Sequence, residues 1–293
     1  MNEQIRMAAG GMELVRDAKT FMQELSRFKK KHTSFYTNFF KFIDEINKLV
    51  YQRRLAIDIS DGCFLIFEFE KEYYQLYYCV DSASQIPTLC LDKTLATWVI
   101  SSKKTNKKDT VAHKKMLMDA GFSYDVRNLQ FSLMLNELEP WLKLQKRKYL
   151  DQMNTKRYEV GFLRENEAGN FEVILSSAFP YYRIEDIPFE LVNALENRNI
   201  MVIRDKIKDN LIAFMYMEFR GKMVHTKKIC VDKAYRGMGF GKFIMISSLL
   251  EAISRGSRRW LVEVDESNKV SLNLHGCMPL QETGIVADLF LKI

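Results

Sequence analysis

Histidine and cysteine are scarce in this chain of 293 residues, which contains four histidines and five cysteines. No two cysteines form a CxxC pair, and no set of these residues has the spacing of a zinc site. We therefore expect no metal. The cysteines are odd in number and widely spaced, so we expect reduced thiols and no disulfide framework.

Long apolar runs are also missing from the sequence. No stretch approaches the roughly 18 apolar residues of a membrane span. The first residues lack the apolar segment and cleavage site of a signal peptide. We therefore expect a cytoplasmic protein that does not contact a membrane.

Positive charge is in excess, with a formal net charge of +7. Such an excess fits nucleic acid or a membrane surface, but it equally fits a site for an anionic cofactor and solvated lysine-rich loops. The basic runs lie apart, at 27–32, 103–108 and 143–148, without the interleaved aromatic residues of a base-stacking surface. We expect no direct binding of nucleic acid.

The length fits two domains of about 140 residues each. Residues 11–54 have helical periodicity, which predicts two helices separated near 32–34 and places Phe35, Phe39, Phe40 and Phe42 in a buried stripe. Aromatic and β-branched runs then predict further elements in the first half. These are a hairpin at 63–69 and 73–80, a strand at 95–100, a helix at 110–120 that ends at Gly121, and strands at 122–126 and 129–135.

Residues 136–157 are charged and contain Pro140, which predicts a linker helix. We therefore expect a first domain at 1–150 and a second at 151–293. The second half should contain strands at 157–163, 200–204, 211–219 and 223–231, with a helix starting near Ile184.

A glycine-rich turn follows the strand at 223–231. Gly237, Gly239 and Gly241 allow the backbone to turn sharply and to approach a ligand. The helix that follows presents unpaired N–H groups and the positive end of its dipole, which favour a phosphate. The spacing differs from the GxGxxG pattern of dinucleotide-binding folds. A strand at 259–265 and a short helix after Asn268 come next.

The run from Arg236 to Gly241 resembles the R/Q-x-x-G-x-G/A pyrophosphate loop of the GNAT (Gcn5-related N-acetyltransferase) superfamily, and the strand, asparagine and short helix follow in that family's order. The resemblance implies an α/β fold with a mixed sheet that binds acyl-CoA. The first half ends similarly, at Gly121-Phe122, but no glycine occurs at 81–95. We therefore expect two such domains in tandem, the first degenerate and without cofactor, or else an unrelated α+β accessory domain.

The resemblance also implies which residues bind acetyl-CoA or another acyl-CoA. Backbone amides near the end of the strand would hold the pantetheine arm, and the loop would hold the diphosphate. The implied set is Ile229, Cys230, Val231, Arg236, Gly237, Met238, Gly239, Phe240, Gly241, Lys242 and Asn268. Cys230 invites interpretation as a nucleophile, but no base is fixed beside it, which favours a buried structural thiol.

The implied reaction is direct attack of a primary amine on the thioester in a ternary complex. The amine must lose a proton, whereas a thiolate leaves with modest help. His225 and Glu263 are candidate bases, and each is alternatively an ordinary strand residue. His275 occupies the register of the family's tyrosine and is the candidate acid, or alternatively a buried residue at a helix end. Pro279-Leu280 replaces the family's Gly-Phe.

Three functions remain open at this point. They are an N-acetyltransferase acting on a small-molecule amine, one acting on a peptide or protein amine, and a non-catalytic acyl-CoA sensor or interaction module. The sequence does not choose the acceptor, the acyl length or the oligomeric state.

Overall fold

The computed structural model describes residues 12–32, 34–70, 73–81, 86–87, 93–105, 107–152, 154–183 and 187–293. The chain forms two compact units, residues 1–127 with 285–293 and residues 128–284. This division differs from the expected boundary at 150, and the strand pairings given below explain the difference.

The strands are β1 Glu13–Leu14, β2 Phe35–Thr37, β3 Leu55–Ser60, β4 Cys63–Phe69, β5 Tyr73–Asp81, β6 Thr94–Ser101, β7 Ser123–Met134, β8 Tyr158–Phe162, β9 Ile200–Asp205, β10 Asn210–Arg220, β11 Met223–Val231, β12 Arg259–Asp265 and β13 Gln281–Lys292. The helices are α1 Ala18–Lys31, α2 Ile43–Tyr51, α3 Lys107–Asp119, α4 Glu139–Gln152, α5 Ala168–Ala178, α6 Ile187–Glu196, α7 Phe240–Ser254 and α8 Lys269–His275.

The sheet of the first unit has the strand order β1-β3-β4-β5-β6-β13. Strands β5 and β6 are parallel, and the other neighbours are antiparallel. Helices α1 and α2 cover one face, where Phe21, Ile46 and Phe64 belong to one buried cluster. Leu117 of α3 packs on the other face, against Tyr78. Alternation along β4 and β5 supplies apolar side chains to both faces.

The predicted hairpin, strand and helix between residues 63 and 120 are confirmed, but the helical prediction for residues 35–42 is wrong. Residues 35–37 form β2, which pairs with β5, and α2 begins only at Ile43. Phe39 is buried as predicted, whereas Phe40 is 62% and Phe42 69% exposed. The extended segment places its side chains on both sides, so the helical spacing of its aromatic residues does not form one buried stripe.

The sheet of the second unit has the strand order β7-β12-β11-β10-β9-β8, with β11 and β12 parallel. The second half of β7 pairs with β12 through residues 128–134, which assigns it to this unit. Helix α4 also belongs here and is no free linker, because Leu142 is fully buried and the Tyr149 ring lies 5.9 Å from that of Phe243. Helix α5 was not predicted, and strands β8 to β12 were.

Helices α4, α7 and α8 cover one face of this sheet, and α5 and α6 cover the other. No helix in the described residues is long and apolar enough to cross a membrane. Among the same residues, no group of three or more histidine, cysteine, aspartate or glutamate side chains is placed to hold a metal ion. The four described cysteines are free thiols, and Cys90 lies outside the described residues.

Candidate functional site

The parallel strands β11 and β12 separate partway along their length. Residues 223–226 pair with 259–262, and beyond Thr226 no described residue of β12 pairs with β11. On its other edge β11 continues to pair with β10 as far as Val231. The amide of Asp232 donates to Ile212 of β10 at 2.8 Å. Because N–H directions alternate along a strand, the amides of Ile229 and Val231 point into the gap.

A β-bulge lies where the gap begins. Tyr216 of β10 pairs with Lys228 and Met217 pairs with Thr226, so the residue between them on β11 is extra. The bulge turns Ile229 and Val231 toward the core that contains α7. His225, next to Val224 of that same core, faces the opposite side of the sheet. Simple alternation would have placed His225 and Ile229 on one face, and the bulge separates them.

The loop after β11 is anchored to the sheet by a buried carboxylate. The Tyr235 hydroxyl donates to Oδ2 of Asp205 at 3.1 Å, and Nη2 of Arg157 donates to the same oxygen at 2.7 Å. The Arg157 hydrogen bonds hold the pKa of Asp205 well below its usual range. Asp205 therefore stays ionised, and it fixes the position from which the glycine turn starts.

The glycine turn requires backbone conformations that other residues avoid. Gly237 has φ +79° and Gly239 has φ +85°. A Cβ at Gly237 would meet nothing within 4 Å, so its surroundings are open. A Cβ at Gly241 would lie 3.5 Å from Cγ2 of Val231 and 3.6 Å from Leu274, which places α8 beside the turn.

The first turn of α7 presents unpaired amides. The helix begins at Phe240 without a side-chain cap. Within the described part of the chain, no acceptor is found for the backbone N–H groups from Met238 to Lys242. Met238 is 59% exposed, so this helix start faces solvent. Unpaired amides at the positive end of a 15-residue helix form an anion-binding surface.

The side chains around the turn have different surroundings. Nε of Arg236 donates to the carbonyl of Val231 at 3.2 Å, which joins the turn to the end of β11. Lys242 is exposed in the first turn of α7. The Phe240 ring is buried and lies 4.9 Å from that of Tyr158. Phe240 therefore offers a ligand only its backbone.

The side chains of Cys230 and Asn268 both contribute to the fold. Cys230 packs in the core of α5 and α6, and burial raises its pKa, which fits the structural thiol. Oδ1 of Asn268 caps α8 by accepting from the amide of Ser271 at 2.9 Å. Asn268 thus fixes the start of α8, and Leu274 of the same helix lies beside the glycine turn.

His275 is buried at the end of α8, with 3% of its surface exposed. Its Nδ1 lies 2.8 Å from the carbonyl oxygen of Ser271 and therefore carries the proton, because a carbonyl only accepts. Burial lowers the pKa of His275, so the ring is neutral and Nε2 has no proton to donate. Nε2 is buried and has no hydrogen-bond partner among the described residues. The geometry fits the buried helix-end alternative better than the acid.

Glu263 lies on β12 and is exposed, and it accepts from Nε2 of Gln130 at 3.3 Å. Its neighbours Val262 and Val264 are buried in the core of α7, so Glu263 faces away from that helix. His225 pairs with Leu261 and faces the same way. The two predicted bases therefore share one face of the sheet, and the loop residues gather around the start of α7.

Sequence reasoning missed two side chains near the turn. A Cβ at Gly239 would lie 3.4 Å from the Tyr149 ring of α4. The thiol of Cys277 donates to the carbonyl of Leu274 at 2.9 Å. Burial raises the pKa of both groups. The charged sequence of α4 gave no sign that one of its aromatic rings reaches this site.

Two separating parallel strands, the start of a helix with unpaired amides and a short capped helix are the elements of a GNAT-type α/β fold. Residues 163–277 match the model of the "Acetyltransferase (GNAT) family". No match was found among curated protein sequences.

Solved structures extend the likeness to the whole chain. A GCN5-related glucosamine N-acetyltransferase region of a fungal multi-domain GH3 beta-N-acetylglucosaminidase matches with TM-score 0.61 and 12% identity, covering 98% of this chain and 38% of that one. A tandem GNAT protein from the clavulanic acid biosynthesis pathway matches with TM-score 0.57 and 12% identity, over 96% and 98%. A GCN5-related N-acetyltransferase from Sphaerobacter thermophilus matches with TM-score 0.55 and 9% identity, over 96% and 94%. The predicted tandem GNAT fold is confirmed.

Proposed function

We propose that the second unit binds an acyl-CoA, in the first instance acetyl-CoA, and transfers its acyl group to a primary amine. The observation that carries this proposal is a pair of neighbouring groups of available backbone amides. The first group lies in the gap at Ile229 and Val231, and the second lies at the helix start from Met238 to Lys242.

The helix start suits the diphosphate of the cofactor. Amides of the first turn would donate to phosphate oxygens, and the helix dipole would add a favourable field. The exposed cations of Arg236 and Lys242 would supply further charge. The pantetheine arm contains amide groups, and it would lie along the open edge of β11 as an added strand does.

The chemistry then needs no covalent enzyme intermediate. The amine nitrogen attacks the thioester carbonyl, a C–N bond forms, the C–S bond breaks, and the sulfur leaves as the CoA thiolate. An amide of the gap would stabilise the oxyanion of the tetrahedral intermediate. A thiol with a pKa of about 8.5 leaves without a strong acid, so the reaction does not depend on His275.

Proton removal from the amine is assigned to the face that carries Glu263 and His225. The Glu263 carboxylate is exposed and able to pass the proton to solvent. We expect Glu263→Gln to lower kcat with little change in KM for acetyl-CoA. Glu282→Gln, at another exposed strand glutamate, is the matched control.

The acceptor is a small molecule or a peptide carrying a primary amine. The fungal region is named a glucosamine N-acetyltransferase, and glucosamine carries a primary amine. An acyl-CoA sensor is the remaining alternative.

Titration calorimetry with acetyl-CoA tests the proposal, followed by a thiol-release assay over a panel of amino sugars, amino acids and lysine peptides. We expect saturable binding and release of CoA that depends on one acceptor class. Failure to bind acetyl-CoA would overturn the proposal. Binding without CoA release on any acceptor would favour the sensor.

A further inference from the structure

The first unit contains the same strand separation as the second. Strands β5 and β6 are parallel and pair only through residues 73–75 and 94–96. Beyond that point β5 continues to Asp81 and β6 to Ser101, with no pairing between them among the described residues. The arrangement repeats that of β11 and β12, whose pairing ends at Thr226.

The gap of the first unit is filled by the chain itself. Strand β2 pairs with β5 in antiparallel register, from Phe35 opposite Asp81 to Thr37 opposite Cys79. The next residue extends the contact, since the amide of Asn38 donates to the carbonyl of Tyr78 at 3.3 Å. The edge of β5 that faces the gap therefore already has a strand on it.

The side chain of Asn38 spans the two separating strands. Its Oδ1 accepts from the amide of Tyr78 at 2.8 Å, on β5. Its Nδ2 lies 2.8 Å from the hydroxyl of Thr97 and 3.0 Å from the carbonyl of Trp98, both on β6, and 3.3 Å from the carbonyl of Leu76. Asn38 is 6% exposed, so these hydrogen bonds are shielded from water.

We infer that β2 and Asn38 occupy, in the first unit, the place that the pantetheine arm takes in the second, so that each chain binds one acyl-CoA. This inference rests on the proposed function of the second unit. An amide side chain and a strand here supply the hydrogen bonds that the amides of a pantetheine arm would make. A ligand would have to displace all of them at once, and each buried group left unpaired would oppose its entry.

The sequence after β5 agrees with this assignment. Residues 81–95 contain no glycine, so nothing there matches the turn of Gly237 and Gly239. The first unit thus keeps the strand geometry of a cofactor groove, with the groove closed by residues 35–38.

The number of acetyl-CoA sites on the full-length chain tests the inference. We expect calorimetry to give one site per chain, and we expect Gly237→Asp, which places a carboxylate in the phosphate-binding turn, to abolish it. Gly221→Asp is the matched control, because Gly221 also has a positive φ of +58° and open surroundings but lies in the turn between β10 and β11. Two sites, or one site left in Gly237→Asp, would overturn the inference. No site in the unmodified chain would instead overturn the proposed function.

Hydrogen exchange separates the two grooves directly. The amide of Tyr78 should be protected in the free protein and unchanged by acetyl-CoA, while the amide of Val231 should exchange faster and become protected on binding. Asn38→Leu, which keeps the size of the side chain, should speed exchange at Tyr78 and still leave one site. Fast exchange at Tyr78 in the unmodified protein, or a response there to acetyl-CoA, would contradict the closed groove even if the variant does not fold.

Discussion

The indole nitrogen of Trp260 donates to the hydroxyl of Thr226 at 2.8 Å, across the last residues at which β11 and β12 still pair. Both side chains are buried in the second unit. The bond therefore fixes the point from which the two strands diverge, and with it the closed end of the gap that we assign to the cofactor.

Replacing Thr226 by valine should destabilise the second unit. The substitution keeps the shape but removes the acceptor, and a buried indole N–H left unpaired costs about 1–3 kcal/mol of unfolding free energy. Urea unfolding measures this loss. Thr226→Ser keeps the hydroxyl and removes one methyl group, so it should lose only about 1 kcal/mol. Equal stability of the valine variant and the unmodified protein would show that this hydrogen bond does not stabilise the fold.

The Gly237→Asp variant should also separate folding from binding. Asp tolerates positive φ better than most residues, and the position is open, so stability should fall by no more than about 1–2 kcal/mol. Its charge should weaken acetyl-CoA binding beyond detection, at least a hundredfold, which is about 2.8 kcal/mol. Differential scanning calorimetry and titration with acetyl-CoA report the two quantities. Similar affinities in Gly237→Asp and Gly221→Asp would show that the diphosphate does not bind at this turn.

His275→Phe tests the acid role predicted for this histidine. The structure gives the ring a lowered pKa and a proton on Nδ1 held by Ser271, which leaves Nε2 unable to donate. We therefore expect kcat to stay within about threefold of the unmodified protein, a change of less than 0.7 kcal/mol in the barrier. The pH profile of kcat should also keep its shape. A tenfold loss of kcat, together with loss of one of the pH-dependent transitions in kcat, would instead support His275 as the general acid.

Acid should destabilise the first unit through His113. Nε2 of His113 lies 2.5 Å from the Tyr78 hydroxyl, and burial lowers its pKa to about 4. The unfolded chain, with a histidine pKa of about 6.5, takes up the proton first as the pH falls. The free energy of unfolding is thus not reduced by this histidine above about pH 6.5, and it declines progressively as the pH falls from about 6.5 to 4.

His113→Gln provides the comparison for that pH dependence. Between pH 7 and 5 the unmodified protein should lose about 2 kcal/mol more unfolding free energy than the variant. Urea unfolding at each pH measures the difference, and NMR titration of the His113 ring should give a midpoint near 4. Parallel stability curves for the two proteins would contradict the neutral buried imidazole.

The sequence revealed those parts of the site that depend on local chemistry. Gly237 and Gly239 adopt the positive φ angles that made glycine informative there, and Asn268 caps the short helix that follows β12. What it did not reveal depends on partners distant in the chain. Strand β2 forms by pairing with residues 79–81 of β5, about 44 residues further along the chain. The helical spacing of the phenylalanines in the sequence predicted a helix there instead.

The bulge and the domain boundary were hidden for similar reasons. The extra residue between Thr226 and Lys228 places His225 and Ile229 on opposite faces of the sheet. Only the pairing with the opposing strand β10 shows that this residue is extra. The boundary follows from β7, which pairs through residues 128–134 with a strand more than a hundred residues further along. A break in composition at 136–157 could not indicate either pairing.

The pairing of β13 with β6 has a consequence for biosynthesis. The first unit takes residues 286–292 as its edge strand beside 95–101, although everything else in that unit has been translated much earlier. A nascent chain usually folds its N-terminal domain while the ribosome continues. Here β6 lacks its partner β13 until the whole second unit has been synthesised. The first unit is therefore synthesised first but completes its sheet last.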